Sequence, residues 1–100
     1  MKLTKKNFVT WLESLEEEHG FTHVSDSCFF SQFIRASGFP DALVGVRYWR
    51  KEDGSFEKDY PMPEWTITCQ AHFTDSDLKY FLCESSVTAK EVLNYMRGIE

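Results

Sequence analysis

Apolar residues near the N-terminus follow a helical spacing and predict a first helix. The positions i, i+3, i+4 and i+7 are filled by Phe8, Trp11, Leu12 and Leu15. This spacing places the side chains on one face of an α-helix. Leu3 and Phe8 flank Thr4 as a hydrophobic staple around an N-cap residue. Gly20 is predicted to end this helix.

A second helix is predicted over residues 26–37. Its apolar stripe consists of Phe29, Phe30, Phe33 and Ile34. Ser25 or Asp26 is the predicted N-cap, because short polar side chains accept hydrogen bonds from the first free amides of a helix. Gly38 and the following Pro40 are predicted to stop it.

From residue 42 onward the pattern alternates, and we expect strands. One side of the first strand carries Ala42, Val44, Val46 and Tyr48, and the other carries Leu43, Gly45, Arg47 and Trp49. The stretch "KEDGS" predicts a turn. The stretch "SFEKDY" predicts a returning strand, which Pro61 and Pro63 would end or confine to a sheet edge.

The stretch "EWTITCQAHF", residues 64–73, also alternates and predicts a half-buried strand. Its buried face consists of Trp65, Ile67, Cys69, Ala71 and Phe73, and its wet face of Thr66, Thr68, Gln70 and His72. Residues 78–85, "LKYFLCES", fit a fourth strand or a short helix capped by Thr74 or Asp75. We favour the strand.

The last helix has a clear start signal. Thr88 and Glu91 form a capping box, and Val87 is placed to pack on Val92. The residues predicted to face inward are Ala89, Val92, Leu93 and Met96. The element order ααβββ(β)α predicts an α+β fold, a two-layer sandwich with an antiparallel three- to four-stranded sheet and helices packed on one face. The 100 residues are expected to form one domain.

The net charge of the chain indicates which kind of macromolecule it can bind. The net charge is −5, and residues 51–100 carry five Lys/Arg against ten Asp/Glu. Binding to phosphate backbones requires clustered positive charge, so direct nucleic-acid binding is disfavoured and a protein partner with a basic surface is expected. An acidic patch is predicted at the end of the first helix, formed by Glu13, Glu16, Glu17 and Glu18. Acidic side chains at the C-terminal end of a helix interact unfavourably with the helix dipole. We therefore expect these residues to increase solubility or to bind a basic partner.

A candidate partner-binding face follows from strand alternation. If Val44 and Val46 face the helices, Arg47 and Trp49 point to the open side of the sheet. Trp and Arg are the residue types most enriched at interface hot spots. The predicted face consists of Arg47, Trp49, Thr66, Thr68, Gln70 and His72. Trp65 is expected to lie in the core instead. In the alternative interpretation Trp49 packs inside the protein and Arg47 pairs with Glu57 or Asp59.

Catalytic and metal-binding motifs are not apparent. Cys28, Cys69 and Cys83 are odd in number, lie outside any C-x-x-C spacing and follow no signal peptide, so we expect buried, reduced thiols in a cytoplasmic protein. His19 and His23 span Gly20, where the helix is predicted to end, so no metal site is expected. No glycine-rich phosphate loop is present, and no run of about 18 apolar residues predicts a membrane span.

The expected function is therefore a small acidic protein-protein interaction module without a cofactor. Adaptors, regulators and inhibitors, including those encoded by phages and mobile elements, belong to this class. One alternative is single-stranded nucleic-acid binding on the open sheet face, where Trp49 would stack on a base. The other is a small enzyme that uses Cys28 or a histidine.

Overall fold

Helices and short strands alternate along the chain in the computed structural model, which describes residues 3–24, 27–51 and 59–98. The described helices are α1 (Lys5–Glu13), α2 (Phe29–Ala36), α3 (Glu64–Ser76), α4 (Leu78–Phe81) and α5 (Ala89–Gly98). The described strands are β1 (Gly20–Phe21), β2 (Leu43–Val44), β3 (Tyr48–Arg50), β4 (Tyr60–Pro61) and β5 (Val87–Thr88). The predicted α+β class is confirmed. Across these residues, no helix has the length and apolar character needed to cross a membrane.

The core is organised around the ring of Phe8, which is completely buried. Its ring centroid lies 4.8 Å from that of Phe30, 5.3 Å from that of Phe33 and 5.7 Å from that of Trp65. These separations are within the 4.5–7 Å range of favourable aromatic pairs. One side chain of α1 therefore joins α2 and α3.

The start of α1 is as predicted, but its end is not. The backbone N–H of Asn7 donates to Thr4 Oγ1 at 3.1 Å, which confirms the N-cap. The helix ends at Glu13, with Ser14 as C-cap, and Gly20 lies in β1 instead. The Ser14 hydroxyl donates to the carbonyl of Trp11 at 2.6 Å, a local bond that competes with continued helix.

The apolar stripe of α2 is buried as predicted. The helix begins at Phe29, later than residue 26, and the predicted caps Ser25 and Asp26 lie outside the described residues. At the other end Ser37 is the C-cap and Gly38 follows with φ +115°, a conformation that favours glycine. The predicted stop is therefore confirmed.

Two small antiparallel sheets replace the single sheet that the pattern predicted. β1 pairs with β5, with Gly20 opposite Thr88. The other sheet has the order β2-β3-β4, in which Trp49 lies opposite Val44 on one side and Tyr60 on the other. β4 is an edge strand, which accommodates Pro61. Residues 52–58, where the sequence predicts a turn, lie outside the described part of the chain.

The prediction of one continuous strand over residues 42–49 is wrong. The chain reverses at Val46 and Arg47, so that β2 and β3 form a hairpin. The N–H of Gly45 donates to the carbonyl of Tyr48 at 2.9 Å across the reversal. A Cβ on Gly45 would lie 3.2 Å from that carbonyl oxygen, a tight contact that favours glycine at this position.

The prediction of a strand over residues 64–73 is also wrong, because this segment forms α3. Its buried residues are Thr66, Cys69, Gln70 and Phe73, which are spaced as i, i+3, i+4 and i+7. Two of these four buried residues are polar, while the apolar Ala71 is exposed. The order of apolar and polar residues in the sequence therefore resembles a strand more than it resembles this helix. The hydroxyl of Thr66 is satisfied by the carbonyl of Pro63. Trp65 is only partly buried against the core.

The preference for a strand over residues 78–85 is wrong, and the helical alternative is correct for Leu78–Phe81. Asp77 caps this helix, rather than Thr74 or Asp75. Its Oδ1 accepts hydrogen bonds from the backbone N–H groups of Lys79 at 3.0 Å and Tyr80 at 3.2 Å. These bonds satisfy two amides that a helix start leaves free.

The start of α5 is fixed by two sets of hydrogen bonds. The N–H of Glu91 donates to Thr88 Oγ1 at 3.2 Å, and the N–H of Thr88 donates to Glu91 Oε1 at 3.4 Å, which confirms the capping box. The next amides, those of Ala89 and Lys90, donate to carbonyls in the loop after α1. Val87, Ala89, Val92 and Met96 are buried. Leu93 is half-buried against the core.

We expect Thr88→Ala to lower the free energy of unfolding by about 0.5–2 kcal/mol, because it removes a side-chain cap from α5. Denaturant unfolding followed by circular dichroism measures this change. Thr68→Ala is the matched control, because Thr68 is exposed in the interior of α3, where alanine is the better helix former. An unchanged midpoint for Thr88→Ala would contradict the role of this cap.

Candidate functional site

Trp49, the centre of the predicted binding face, is buried with 8% of its surface exposed. Its ring centroid lies 4.9 Å from that of Tyr60, in a stacked arrangement, and 5.2 Å from that of Phe39. β3 is the central strand of its sheet, so this side chain fills the space between the sheet and the loop after α2. The expectation that Trp49 points outward while Trp65 is fully in the core is therefore wrong.

The other residues of the predicted face do not share one surface. Arg47 is exposed at the hairpin reversal, and Thr68 and His72 are exposed on α3. Thr66 and Gln70 are buried on the opposite side of that helix. Because residues 64–76 are helical, the open sheet face on which the six residues were placed does not exist in the described structure. The alternative interpretation pairs Arg47 with Glu57 or Asp59. In the structure Arg50 pairs with Asp59, and Nε of the arginine lies 2.9 Å from Oδ1 of the aspartate.

The loop that carries most of the predicted acidic patch lies next to the start of α5. Glu13 is the last residue of α1, whereas Glu16, Glu17 and Glu18 follow the helix in a loop, so only Glu13 lies within the last turn of the helix. The N–H of Lys90 donates to the carbonyl of Glu17 at 3.1 Å, which brings this loop to the N-terminus of α5. Negative charge is favourable at that end of a helix. Glu13 forms an exposed ion pair with Arg97 at 3.0 Å.

Two of the three cysteines are buried, as expected, and the third is not. Cys28 and Cys69 are buried, whereas Cys83 is exposed, which corrects the prediction for that thiol. Burial raises the pKa of the Cys28 thiol, and the backbone N–H groups of the first turn of α2 offset this only in part. Burial also raises the pKa of Cys69. Both thiols are therefore held in the protonated form, which is the poorer nucleophile.

The histidines occupy separate environments. His19 Nε2 lies 2.7 Å from Gln32 Oε1, within hydrogen-bond distance. The ring of His72 stacks on Tyr95 with centroids 4.4 Å apart. The ring of His23 stacks on Phe81 with centroids 5.8 Å apart. Within residues 3–24, 27–51 and 59–98, no three His, Cys, Asp or Glu side chains are grouped in a way that could hold a metal ion.

The most unusual exposed feature is the helix α4, which the candidate residues from the sequence did not include. Tyr80 is 1% exposed and holds this single turn against the core. Successive residues of an α-helix are rotated by about 100° around its axis, so the residues two positions before and after Tyr80 point away from the core. Leu78 and Leu82 therefore point to solvent and are 69% and 52% exposed, and Phe81 is 51% exposed.

The end of α4 is fixed by a Schellman motif. The N–H of Glu84 donates to the carbonyl of Lys79 at 2.7 Å, and the N–H of Cys83 donates to that of Tyr80 at 3.0 Å. Cys83 has φ +61° and is the only non-glycine residue with positive φ in the described chain. Together with the Asp77 cap, this motif fixes both ends of the turn that presents the leucines.

The segment after β1 lies beside α4 and carries one further exposed apolar residue. His23 stacks on Phe81, and the next residue, Val24, is 46% exposed. We use the term α4 surface for Val24, Leu78, Phe81 and Leu82. Its signal in the sequence is an Asp N-cap followed by leucines at i and i+4, a short helical pattern.

Acidic side chains predominate along the chain around α4. Asp75, Asp77 and Glu84 are acidic, and Lys79 is the one basic residue between Phe73 and Ser86. Asp75, Lys79 and Glu84 are exposed. An apolar surface with a net negative rim is thus presented to solvent.

No family model, curated protein or solved structure matches this chain. Its function is therefore inferred from its own residues.

We expect Cys83→Gly to be more stable than Cys83→Ala by about 0.5–1 kcal/mol. A left-handed conformation costs a non-glycine residue about 1–2 kcal/mol, and the larger chain entropy of glycine in the unfolded state offsets about 0.5–1 kcal/mol of this gain. Both variants remove the thiol, so their difference in unfolding free energy reports the backbone alone. Equal stability would mean that residue 83 does not hold a positive φ in solution.

Thiol titration of the folded protein should show one fast-reacting cysteine, because Cys83 is the exposed one of the three. Cys28 and Cys69 should react only as the protein unfolds. A coloured aromatic disulfide reagent measures both phases, and Cys83→Ser should abolish the fast phase. A fast phase that persists in this variant would show that a second thiol is accessible.

Proposed function

We propose that this chain is a protein-protein interaction module, of the kind found in adaptors, regulators and inhibitors, and that it binds its partner through the α4 surface. The observation that carries the proposal is the outward orientation of Leu78, Phe81 and Leu82, each more than half exposed. Single exposed apolar residues are ordinary, but several in one turn are unusual in a monomer and are typical of interaction sites.

The alternatives have less support. Base stacking by Trp49 requires an exposed ring, and this ring is packed against Phe39 and Tyr60. Nucleophilic chemistry at Cys28 requires a thiolate, and burial raises the pKa of this thiol. The α4 surface, by contrast, requires no rearrangement to contact a partner.

The magnitude of apolar burial indicates what else the partner must provide. Burying the exposed half of a leucine or phenylalanine side chain contributes about 1 kcal/mol. Four such side chains contribute about 4 kcal/mol, which corresponds to a dissociation constant of about 1 mM before the entropic costs of association. Stable binding therefore needs further contacts around the apolar centre.

The charge around α4 indicates the chemistry of those contacts. Asp75 and Glu84 are exposed, and the second half of the chain has ten acidic residues against five basic ones. We therefore propose a partner segment with two or more apolar side chains flanked by Lys or Arg. Complementary charges of this kind increase the association rate and the specificity.

A comparison of two double variants tests the proposal. Phe81→Ser with Leu82→Ser removes the apolar centre, whereas Leu43→Ser with Tyr48→Ser removes two exposed apolar side chains from the β2–β3 hairpin. Each variant and the unchanged protein serve as bait in native lysate, and bound proteins are quantified by mass spectrometry. We expect a partner that the unchanged protein and the hairpin variant retain and the α4 variant loses.

The retained partner is then purified and titrated calorimetrically. Loss of the α4 side chains should weaken binding by about 30-fold, which corresponds to about 2 kcal/mol and is the scale of an interface hot spot. Rising ionic strength should lower the association rate, because it screens the acidic rim. Equal binding by the two double variants would refute the proposed surface. A rate independent of ionic strength would refute the basic partner while leaving the apolar contact intact.

A further inference from the structure

A half-open cleft of about 210 Å³ lies between the start of α2, the β2–β3 hairpin and α3. It is lined by His23, Cys28, Val44, Gly45, Val46 and Gln70. The cleft is distinct from the α4 surface, although the stacking of His23 on Phe81 places the two next to each other. Its walls combine apolar valine side chains with one buried amide.

The amide of Gln70 indicates that the cleft receives a polar group. Gln70 is 7% exposed, and its Nε2 has no hydrogen-bond partner among residues 3–24, 27–51 and 59–98. It is the one buried side-chain nitrogen or oxygen of the described residues in that state. Buried polar groups in folded proteins are nearly always hydrogen-bonded, so this amide lacks an acceptor, although Nε2 itself is shielded from solvent in this rotamer.

The geometry of glutamine allows the amide to meet an occupant of the cleft. The terminal torsion χ3 has a broad, roughly two-fold profile, so its rotation exchanges the positions of Nε2 and Oε1 at little cost. The amide then presents its N–H donors to a group that enters between Val44 and Val46. No Lys, Arg, Asp or Glu side chain lines the cleft, and its polar side chains are the Gln70 amide, the His23 imidazole and the Cys28 thiol, so the lining favours an uncharged ligand.

We propose that this cleft binds a small uncharged molecule in which a carbonyl oxygen is carried on a branched apolar body. The Gln70 amide donates to the carbonyl oxygen, and Val44 and Val46 pack against the apolar body. A cavity of about 150 Å³ holds a ligand the size of benzene, so the cleft accommodates about eight non-hydrogen atoms. This inference does not depend on the proposed protein partner.

Nuclear magnetic resonance of the ¹⁵N-labelled chain tests the proposal with isobutyramide as the probe. We expect saturable shifts of the Gln70 side-chain amide and of the Val44, Gly45 and Val46 backbone amides. A ligand of this size should bind with a dissociation constant on the order of 1–10 mM. Isobutyrate has the same shape with a negative charge and should bind at least about tenfold more weakly.

Gln70→Leu provides the matched variant, because it keeps the side-chain size and removes an amide whose nitrogen has no partner, so the fold is retained. It should weaken isobutyramide binding by about tenfold, the effect of losing one hydrogen bond. Tyr48→Ser, on the same hairpin but outside the cleft lining, should bind as the unchanged protein does. Absence of saturable shifts would overturn the proposal. Equal binding by Gln70→Leu, or equal binding of isobutyrate, would overturn it as well.

Discussion

The packing of rings around Phe8 is the interaction on which the other parts of the structure depend. The ring belongs to α1, and its neighbours Phe30 and Phe33 belong to α2, while Trp65 belongs to α3. Two small sheets of two- and three-residue strands cannot bury enough surface to organise a protein of this size. The helices are therefore held by contacts between aromatic side chains, and the strands mainly close the edges of the structure. Truncation of a buried phenylalanine of this kind typically costs 3–5 kcal/mol.

Features that depend on neighbouring residues could be predicted from the sequence. The cap at Thr4, the stripe of α2 and the capping box at Thr88 each need only four to six consecutive residues to specify them. α3 could not be recognised in this way, because its buried face contains Thr66 and Gln70 while Ala71 faces solvent. Its β-branched residues also favour a strand intrinsically. Tertiary packing determined the outcome. The predicted strand over residues 64–73 is at the upper limit of usual strand lengths, and the observed helix continues to Ser76.

The candidate site depended on these assignments, and its location changed with them. One continuous strand over residues 42–49 predicts that Trp49 points outward, whereas the chain reverses at Val46 and Arg47. Gly45 is the local sign of this reversal, because glycine within a strand pattern often marks a bend. The α4 surface has only a weak signal in the sequence, because one helical turn is too short to show a periodic pattern. Asp77 is the local signal that was available, since aspartate before an apolar run is a common N-cap. Sequence alone indicated an acidic protein with an interaction surface, and the structure changes where that surface is proposed to lie.

The pairing of β1 with β5 has a consequence for the order in which the chain folds. Gly20 and Thr88 are 68 positions apart in a chain of 100 residues, so their contact closes a long loop and forms only after most of the chain is available. The same late segment supplies α5, whose first amides bind the loop after α1. On the ribosome, α1 and α2 emerge long before these partners do. Leu12, which is buried in the finished fold and lines one cleft together with Ala89 and Leu93 of α5, therefore lacks these neighbours until synthesis of this region is complete.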